Sequence, residues 1–205
     1  MCVTVFVEIE VNMDAALLPD MLGYKDLVGV GFTRMQFERL IETGEYERIA
    51  PGQFLRTGAT DDTTAAWMAI ASKRPQATLC LLTALSIHDL TDEIPTRSNI
   101  AIPRGAKPLT AWSAPIGWHH FDPATFDIGR TEYALPSGRT IGLYSAERTI
   151  IDLFRLSHDW GSDLAIEALK RWLRVKGNSP SQLLTIAKSF PKARPALQNA
   201  LEILL

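Results

Sequence analysis

The chain of 205 residues carries a formal net charge of −2 and is 46% hydrophobic and 21% charged, the composition of an ordinary globular protein with room for one medium or two small domains. It contains no apolar run near the roughly 18 residues that a transmembrane helix needs and no signal-peptide pattern, so a cytoplasmic protein is expected. Of the two cysteines, Cys80 lies in an apolar run and is expected to be a small buried hydrophobe rather than a disulfide partner or ligand.

The N-terminal third is predicted to be mostly helical. Residues 1–12 alternate apolar and polar side chains, which predicts an edge strand in a peripheral extension. Short helices are predicted over 14–22 and 24–28. A third helix is predicted to start at the capping residue Thr33 and to end at Gly44, with apolar side chains at helical spacing between them.

A hairpin is predicted next, because strand-like residues 46–49 and 54–56 flank a Pro51-Gly52 turn. Three helices followed by a hairpin form a winged helix-turn-helix, which we assign to residues 13–62. Its third helix and its wing offer five polar side chains to DNA bases and phosphates: Arg34, Gln36, Arg39, Thr43 and Arg48. Residues 1–62 carry a net charge of −6, however, which works against phosphate contacts.

A polar joint at residues 61–63 precedes a larger predicted domain over 63–205. Residues 64–72 form an amphipathic helix, and residues 77–88 are apolar on nearly every side, which is typical of a buried helix. Four strand-like segments follow at 99–102, 116–121, 131–135 and 139–143, the last two joined by a Pro-Ser-Gly turn. The pattern predicts an α+β domain with a small, mostly antiparallel sheet.

The C-terminal third is predicted to be a helical bundle with a basic solvent side. Helix starts are indicated at Ser145, at Ser162 or Asp163, at Ser179 in a capping box with Pro180, and at Ala196. No acid occurs between Glu167 and Glu202, and we call residues 168–201 the C-terminal basic segment. Its cations are Lys170, Arg171, Arg174, Lys176, Lys188, Lys192 and Arg194. Such a segment is either a solvated polar face or a site for an acidic partner or a nucleic acid.

The helix that starts at Ser145 carries apolar residues on one side and alternating charges on the other. We call Arg148, Asp152, Arg155 and Asp159 the charged stripe, because their spacings of four, three and four put them opposite the apolar side. The stripe is either a solvated row of ion pairs or a recognition surface.

The segment Ser145-Ala146-Glu147-Arg148-Thr149-Ile150-Ile151-Asp152-Leu153-Phe154-Arg155 resembles the C-terminal-domain signature of the AbiEi antitoxins of type IV toxin–antitoxin pairs. Residues 78–95 followed by 100–105, and the turn over 44–54, resemble the same family in the same order. The resemblance implies a bacterial antitoxin that counters an AbiEii-like nucleotidyltransferase toxin through its C-terminal domain and that binds its own operator DNA. The toxin-neutralising surface would then include Arg148, Asp152, Arg155, Lys170, Arg171 and Arg174.

Two other functions stay open from the sequence. An atypical protein kinase that phosphorylates the toxin would use ATP and magnesium, and the charged stripe offers the cations and carboxylates that phosphoryl transfer needs. A stand-alone winged-helix transcriptional regulator is the other alternative. A metal site is not expected, because the adjacent His119 and His120 would point to opposite faces of a strand.

Overall fold

The computed structural model describes residues 18–109 and 114–205, so the edge strand predicted over 1–12 lies outside the described residues. The chain divides into two compact units, the first ending at Ala59 and the second comprising Thr60–Leu205. The division falls beside the polar joint predicted at residues 61–63. Within the described ranges, no helix is both long and apolar enough to cross a membrane.

The first unit contains a three-stranded antiparallel sheet and one α-helix among its described residues. Its elements are β1 (Met21–Leu22), α1 (Arg34–Glu42), β2 (Tyr46–Ala50) and β3 (Gln53–Arg56). The strand order is β1-β3-β2. Phe37 of α1 is fully buried, and its ring makes edge-to-face contacts with Tyr24, Tyr46 and Phe54, which form the centre of this small core.

The predicted start of α1 and the predicted hairpin are confirmed. Thr33 and Gln36 form a capping box, in which Gln36 Oε1 accepts the Thr33 N–H at 2.9 Å. The helix predicted over 14–22 is wrong in its described part, because Met21–Leu22 is a strand that pairs with β3. The helix predicted over 24–28 is replaced by turns and a single 3-10 turn at Val28–Val30. The described residues therefore hold one α-helix before the hairpin, and the winged helix stays a prediction.

The second unit is a five-stranded sheet packed with helices. Its elements are α2 (Asp62–Lys73), β4 (Thr78–Leu79), α3 (Leu81–Ile87), β5 (Ser98–Pro103), β6 (Ile116–Phe121), β7 (Arg130–Leu135), β8 (Arg139–Tyr144), α4 (Ala146–Arg155), α5 (Ser157–Trp160), α6 (Ser162–Arg174), α7 (Pro180–Ala187) and α8 (Arg194–Leu204). The predicted α+β class is confirmed.

The sheet is mixed, which corrects the prediction of a mostly antiparallel one. Its strand order is β6-β5-β4-β8-β7. The β4–β5 and β7–β8 pairs are antiparallel, whereas the β4–β8 and β5–β6 pairs are parallel. A short turn joins only β7 to β8. The other neighbours are connected by longer segments, and such connections allow parallel pairing.

The apolar run over 77–88 is divided between a strand and a helix. Thr78 and Leu79 form β4, and the helix begins only at Leu81, whose φ of 49° lies in the left-handed region. A continuous apolar run does not distinguish a buried strand from a buried helix, so the predicted single helix was wrong in its first turn. The left-handed residue turns the chain sharply out of the sheet.

Helix α4 lies at the centre of the C-terminal bundle and contacts α3, α5, α6, α7 and α8. The core around it contains Leu85, Ile151, Leu153, Leu169, Trp172, Leu183 and Leu197, all of them buried. The capping box predicted at Ser179 is wrong. Its hydroxyl lies 2.8 Å from that of Ser181 and accepts no backbone N–H from the first turn of α7.

Candidate functional site

The charged stripe starts at a well-defined helix terminus. The Ser145 hydroxyl accepts the backbone N–H of Arg148 at 3.2 Å, as predicted for an N-cap. This cap fixes the first turn of α4, so that Arg148 and Asp152 lie on the same face one helical turn apart.

Arg148 is buried completely and holds a loop onto the helix. Its Nε donates to Asp152 Oδ2 at 3.0 Å, and its Nη1 donates to the carbonyl oxygens of Thr125 and Ile128 at 2.7 and 2.6 Å. Both carbonyls belong to the segment between β6 and β7. A guanidinium has five N–H donors in a fixed plane, so one side chain can bind a carboxylate and two carbonyls together.

Aromatic rings enclose the remaining side of the Arg148 guanidinium. Its central carbon lies 4.3 Å from the ring centroid of Tyr144 and 4.3 Å from that of Phe190. Its Nη2 has no hydrogen-bond acceptor among the described residues, and cation–π attraction to these rings offsets part of that loss.

Asp152 is shared between two arginines. Its Oδ1 accepts from Arg155 Nη2 at 2.8 Å, and its other oxygen accepts from Arg148. Burial raises the pKa of Asp152, while the charges of Arg148 and Arg155 oppose that rise. We regard the carboxylate as ionised at neutral pH, because a proton on either oxygen would face an N–H donor.

This geometry corrects the prediction that the charged stripe is an exposed surface. The Arg148 and Asp152 side chains are 0% and 1% exposed, and Arg155 is 23% exposed. Asp159 belongs to the separate helix α5 and contacts only its neighbour His158 among the described charged groups. The β6–β7 segment and the rings of Tyr144 and Phe190 cover the Arg148 end of this side, so the charged side of α4 is buried there as well as its apolar side. Neither a recognition surface nor a catalytic carboxylate is available at Asp152.

The three predicted basic site residues of α6 differ in their surroundings. Arg171 binds the carboxylate of Asp92 with two nitrogens and that of Glu167 with a third contact at 3.3 Å. These hydrogen bonds raise the pKa of Arg171, and its charge is already compensated. Lys170 is half-buried, whereas Arg174 is exposed. Arg171 is therefore already paired with acids of its own chain, and its part in the toxin-neutralising surface stays a prediction.

The rest of the C-terminal basic segment supplies exposed cations. They lie at the end of α6 and around the turn between α7 and α8: Arg174, Lys176, Lys188, Lys192 and Arg194. None of them forms an ion pair within the described residues. Their charges are available to an acidic surface.

In the first unit, some predicted DNA-contacting side chains already serve the fold. Gln36 caps α1, and the Thr43 hydroxyl donates to the Leu40 carbonyl at 3.3 Å. Arg34 and Arg48 line one groove together with Glu38. Arg34 pairs with Glu38 at 2.8 Å, so the groove has mixed charge.

Arg39 and Arg48 are both exposed. Arg48 Nε lies 3.4 Å from the carbonyl oxygen of Ala50 in its own strand. These two arginines are the predicted side chains whose cationic groups remain most open to a phosphate backbone.

A pocket of about 190 Å³ in the second unit was not predicted. It lies between the start of α2, α3 and the start of β5, and hydroxyl side chains form much of its wall. Its serines and threonines come from three separate segments, α2, α3 and the start of β5, so no local motif in the sequence indicates it. Within the described residues, no group of three or more His, Cys, Asp or Glu side chains could hold a metal ion.

Comparisons with known proteins support the fold alone. No protein-family model matches the chain, and no curated protein matches it. Among solved structures, it is similar to the crystal structure of the RV2827C protein from Mycobacterium tuberculosis, with a TM-score of 0.51 and 16% identity over 91% of this chain and 76% of that one. An antigenic nucleotidyltransferase-like protein from Paracoccidioides brasiliensis matches over 70% of this chain and 93% of its own, with 12% identity and a TM-score of 0.35, too low to indicate a shared fold.

Proposed function

We propose that this chain is an AbiEi-type antitoxin that counters a nucleotidyltransferase toxin through its second unit. The observation that carries the proposal is the ordered resemblance of three segments to that family. Two of them, residues 78–95 with 100–105 and residues 145–155, contribute to one core, in which Leu81 and Leu85 join Ile151 and Leu153. We expect the protein in the cytoplasm together with its toxin.

The toxin-binding part of the proposal rests on the exposed cations of the C-terminal basic segment. Arg148 and Asp152 have no solvent contact and cannot touch a partner without unfolding of the bundle. Exposed unpaired cations attract an acidic surface and speed its association. We therefore assign recognition to Arg174, Lys176, Lys188 and Lys192, and a supporting role in the fold to the charged stripe.

Growth rescue tests this assignment. Cells that express the cognate toxin receive the antitoxin with Arg174, Lys188 and Lys192 changed to glutamate. A matched control reverses three other exposed cations of the second unit, Lys73, Arg104 and Lys107. We expect rescue to be lost in the first variant and kept in the control. Full rescue by both would refute the role of the basic segment.

Binding of operator DNA by the first unit is the second part of the proposal. Its support is the confirmed capped helix and hairpin, with Arg39 and Arg48 exposed. A winged helix is the arrangement we propose for this unit. In an electrophoretic shift assay with the upstream DNA, the change of Arg39 and Arg48 to alanine should weaken binding, and Arg104→Ala should not. A wild-type chain that shifts no DNA at low salt would exclude this part and leave the antitoxin activity untouched.

Neutralisation by contact is preferred over phosphorylation of the toxin. Of the two carboxylates in the charged stripe, Asp152 is 1% exposed and enclosed by two guanidinium groups, so it is closed to ATP and magnesium. Asp159 is exposed but lies on the separate helix α5, beside His158. Mass spectrometry of toxin incubated with the chain, ATP and magnesium should show an unmodified toxin. A new phosphate on the toxin would refute neutralisation by contact. It would show that the chain is a kinase whose catalytic residues lie outside the buried Arg148–Asp152 pair.

A further inference from the structure

The pocket in the second unit has a polar, anion-compatible wall. Five hydroxyl side chains line it: Thr63, Thr83, Ser86, Thr96 and Ser98. Trp67 contributes an aromatic surface and Arg97 a positive charge, and no carboxylate belongs to the lining residues described. We call this cavity the hydroxyl pocket.

Two of these hydroxyls are buried and held in place. Ser98 is 6% exposed, and its Oγ accepts the indole N–H of Trp67 at 2.8 Å. Thr83 is 4% exposed, and its Oγ1 accepts the backbone N–H of Asn99 at 2.9 Å. Each hydroxyl keeps its own proton to donate, and the described residues supply no acceptor for either proton. A buried donor without an acceptor is costly, so a ligand acceptor would be stabilised here.

The aromatic wall is rigid as well. The Trp67 ring packs edge-to-face on Tyr133, with centroids 6.0 Å apart, and its N–H is bound by Ser98. A side chain fixed by two contacts loses little conformational entropy when a ligand packs against it.

Arg97 supplies a formal charge that is not balanced by an acid. It is exposed and forms no ion pair with any residue of the described ranges. Its side chain lies over Gly117, where an added Cβ would be 3.0 Å from Arg97 Nε and 3.2 Å from its Cδ. The absence of a side chain at residue 117 thus makes room for this arginine.

We propose that the hydroxyl pocket binds a small oxyanion, a carboxylate or a phosphate monoester, through Arg97 and the hydroxyls of Thr83 and Ser98. The ligand's apolar body packs against Trp67 and Ile87. The volume of about 190 Å³ is somewhat larger than the roughly 150 Å³ of a cavity that holds benzene, so the pocket has room for about one ring with its charged group. This proposal is independent of the antitoxin function.

Nuclear magnetic resonance titration of the full chain tests the pocket with three probes of similar size: phenyl phosphate, benzoate and the neutral benzyl alcohol. We expect at least one anion to shift the Trp67 indole and the Ser98 amide, with an affinity about tenfold or more above that of benzyl alcohol. Preference for phenyl phosphate or for benzoate identifies the ligand class. Equal binding of all three, or shifts confined to other residues, would overturn the proposal.

Variants provide the matched comparison. Arg97→Gln should weaken anion binding about tenfold or more, and Gly117→Ala should weaken it by displacing the Arg97 side chain. Arg104→Gln, an exposed arginine just beyond the opposite end of β5, should bind as the wild type does. Because Arg97 is exposed, its variant is expected to fold, and an amide spectrum checks this directly. Unchanged affinity in Arg97→Gln would refute the site.

Discussion

Arg148 and Asp152 form an ion pair of 3.0 Å inside the bundle, with side chains 0% and 1% exposed. Such a buried pair differs in its energetics from an ion pair of the same spacing on a helix surface, where water solvates both charges. Both charges have lost their water, so each depends on its protein partners: Arg148 also on the carbonyls of Thr125 and Ile128, and Asp152 also on Arg155. The pair joins the β6–β7 segment to the helical bundle.

Arg148→Met should lower the free energy of unfolding by about 3–5 kcal/mol, because it leaves a buried carboxylate short of one partner and the Ile128 carbonyl without its donor. The Thr125 carbonyl would keep only the Ile128 N–H, at 3.3 Å. Urea denaturation followed by tryptophan fluorescence measures the loss. Arg171→Met, which breaks a solvent-exposed pair in the same unit, should cause a much smaller change.

The double variant Arg148→Met with Asp152→Leu extends this test. It should be more stable than the sum of the two single losses predicts, because the two fully buried charges are removed together. Arg155 also loses its carboxylate, but its side chain is 23% exposed and keeps contact with solvent. Additive losses would show that the two side chains stabilise the fold independently.

Gly129→Ala should be more destabilising than Gly138→Ala, although the two glycines have nearly equal φ values of 69° and 68°. Both changes carry the cost of a left-handed residue with a Cβ, about 1–2 kcal/mol. At Gly129 the new Cβ would also lie 2.6 Å from the Cβ of Arg148, whereas at Gly138 nothing lies within 4 Å. Urea unfolding of both variants measures the difference, and equal losses would contradict this steric argument.

His119 should make the protein less stable as the pH falls from about 6.5 towards 4. Burial, followed by the charge of Arg97, lowers the pKa of His119 from 6.5 to about 4. The unfolded chain therefore takes up a proton at a higher pH than the folded chain, which favours unfolding in that window and not above it. In His119→Gln the dependence of unfolding free energy on pH should be shallower there. If the His119 imidazole of the folded protein titrated with a midpoint near 6.5, the lowered pKa of His119 and the predicted loss of stability would be contradicted.

Asp61→Ala should cost about 0.5–2 kcal/mol, because Asp61 Oδ1 accepts the backbone N–H groups of Thr63 and Thr64 at the start of α2. A hydrogen bond from the Thr64 hydroxyl, together with these backbone bonds, lowers the pKa of Asp61 below 3.8. This stabilisation is present above that pH and is lost as the pH falls through the lowered pKa. Asp61→Asn keeps most of the cap but should lose this pH dependence in acid denaturation.

Local signals in the sequence predicted elements whose stabilising contacts are local. The caps at Thr33 and Ser145 and the β7–β8 hairpin follow from residues a few positions apart, and all three are present. The strand at Met21–Leu22 and the parallel neighbours of β4 and β5 depend on partners far away in the sequence. No periodicity within a short window encodes such partners.

The burial of the charged stripe could not be read from its spacing. Charges three and four residues apart suit a solvated row of ion pairs as well as a buried one. The difference at Arg148 comes from Tyr144, Phe190 and Phe121, and Phe190 and Phe121 lie at least 27 residues from it in sequence. The hydroxyl pocket was missed for the same reason, because Thr83 and Ser98 become neighbours only through the fold.

The central strand of the five-stranded sheet, β4, has only two residues, Thr78 and Leu79. It alone bridges β5 and β8, through Ala101 and Ile100 on one side and Gly142 and Leu143 on the other. The β5–β6 pair and the β7–β8 hairpin are thus joined into one sheet only by the two-residue pairings of β4. Thr78 pairs with Gly142, 64 residues further along the chain, so we expect these contacts to form more slowly than those of the local β7–β8 hairpin.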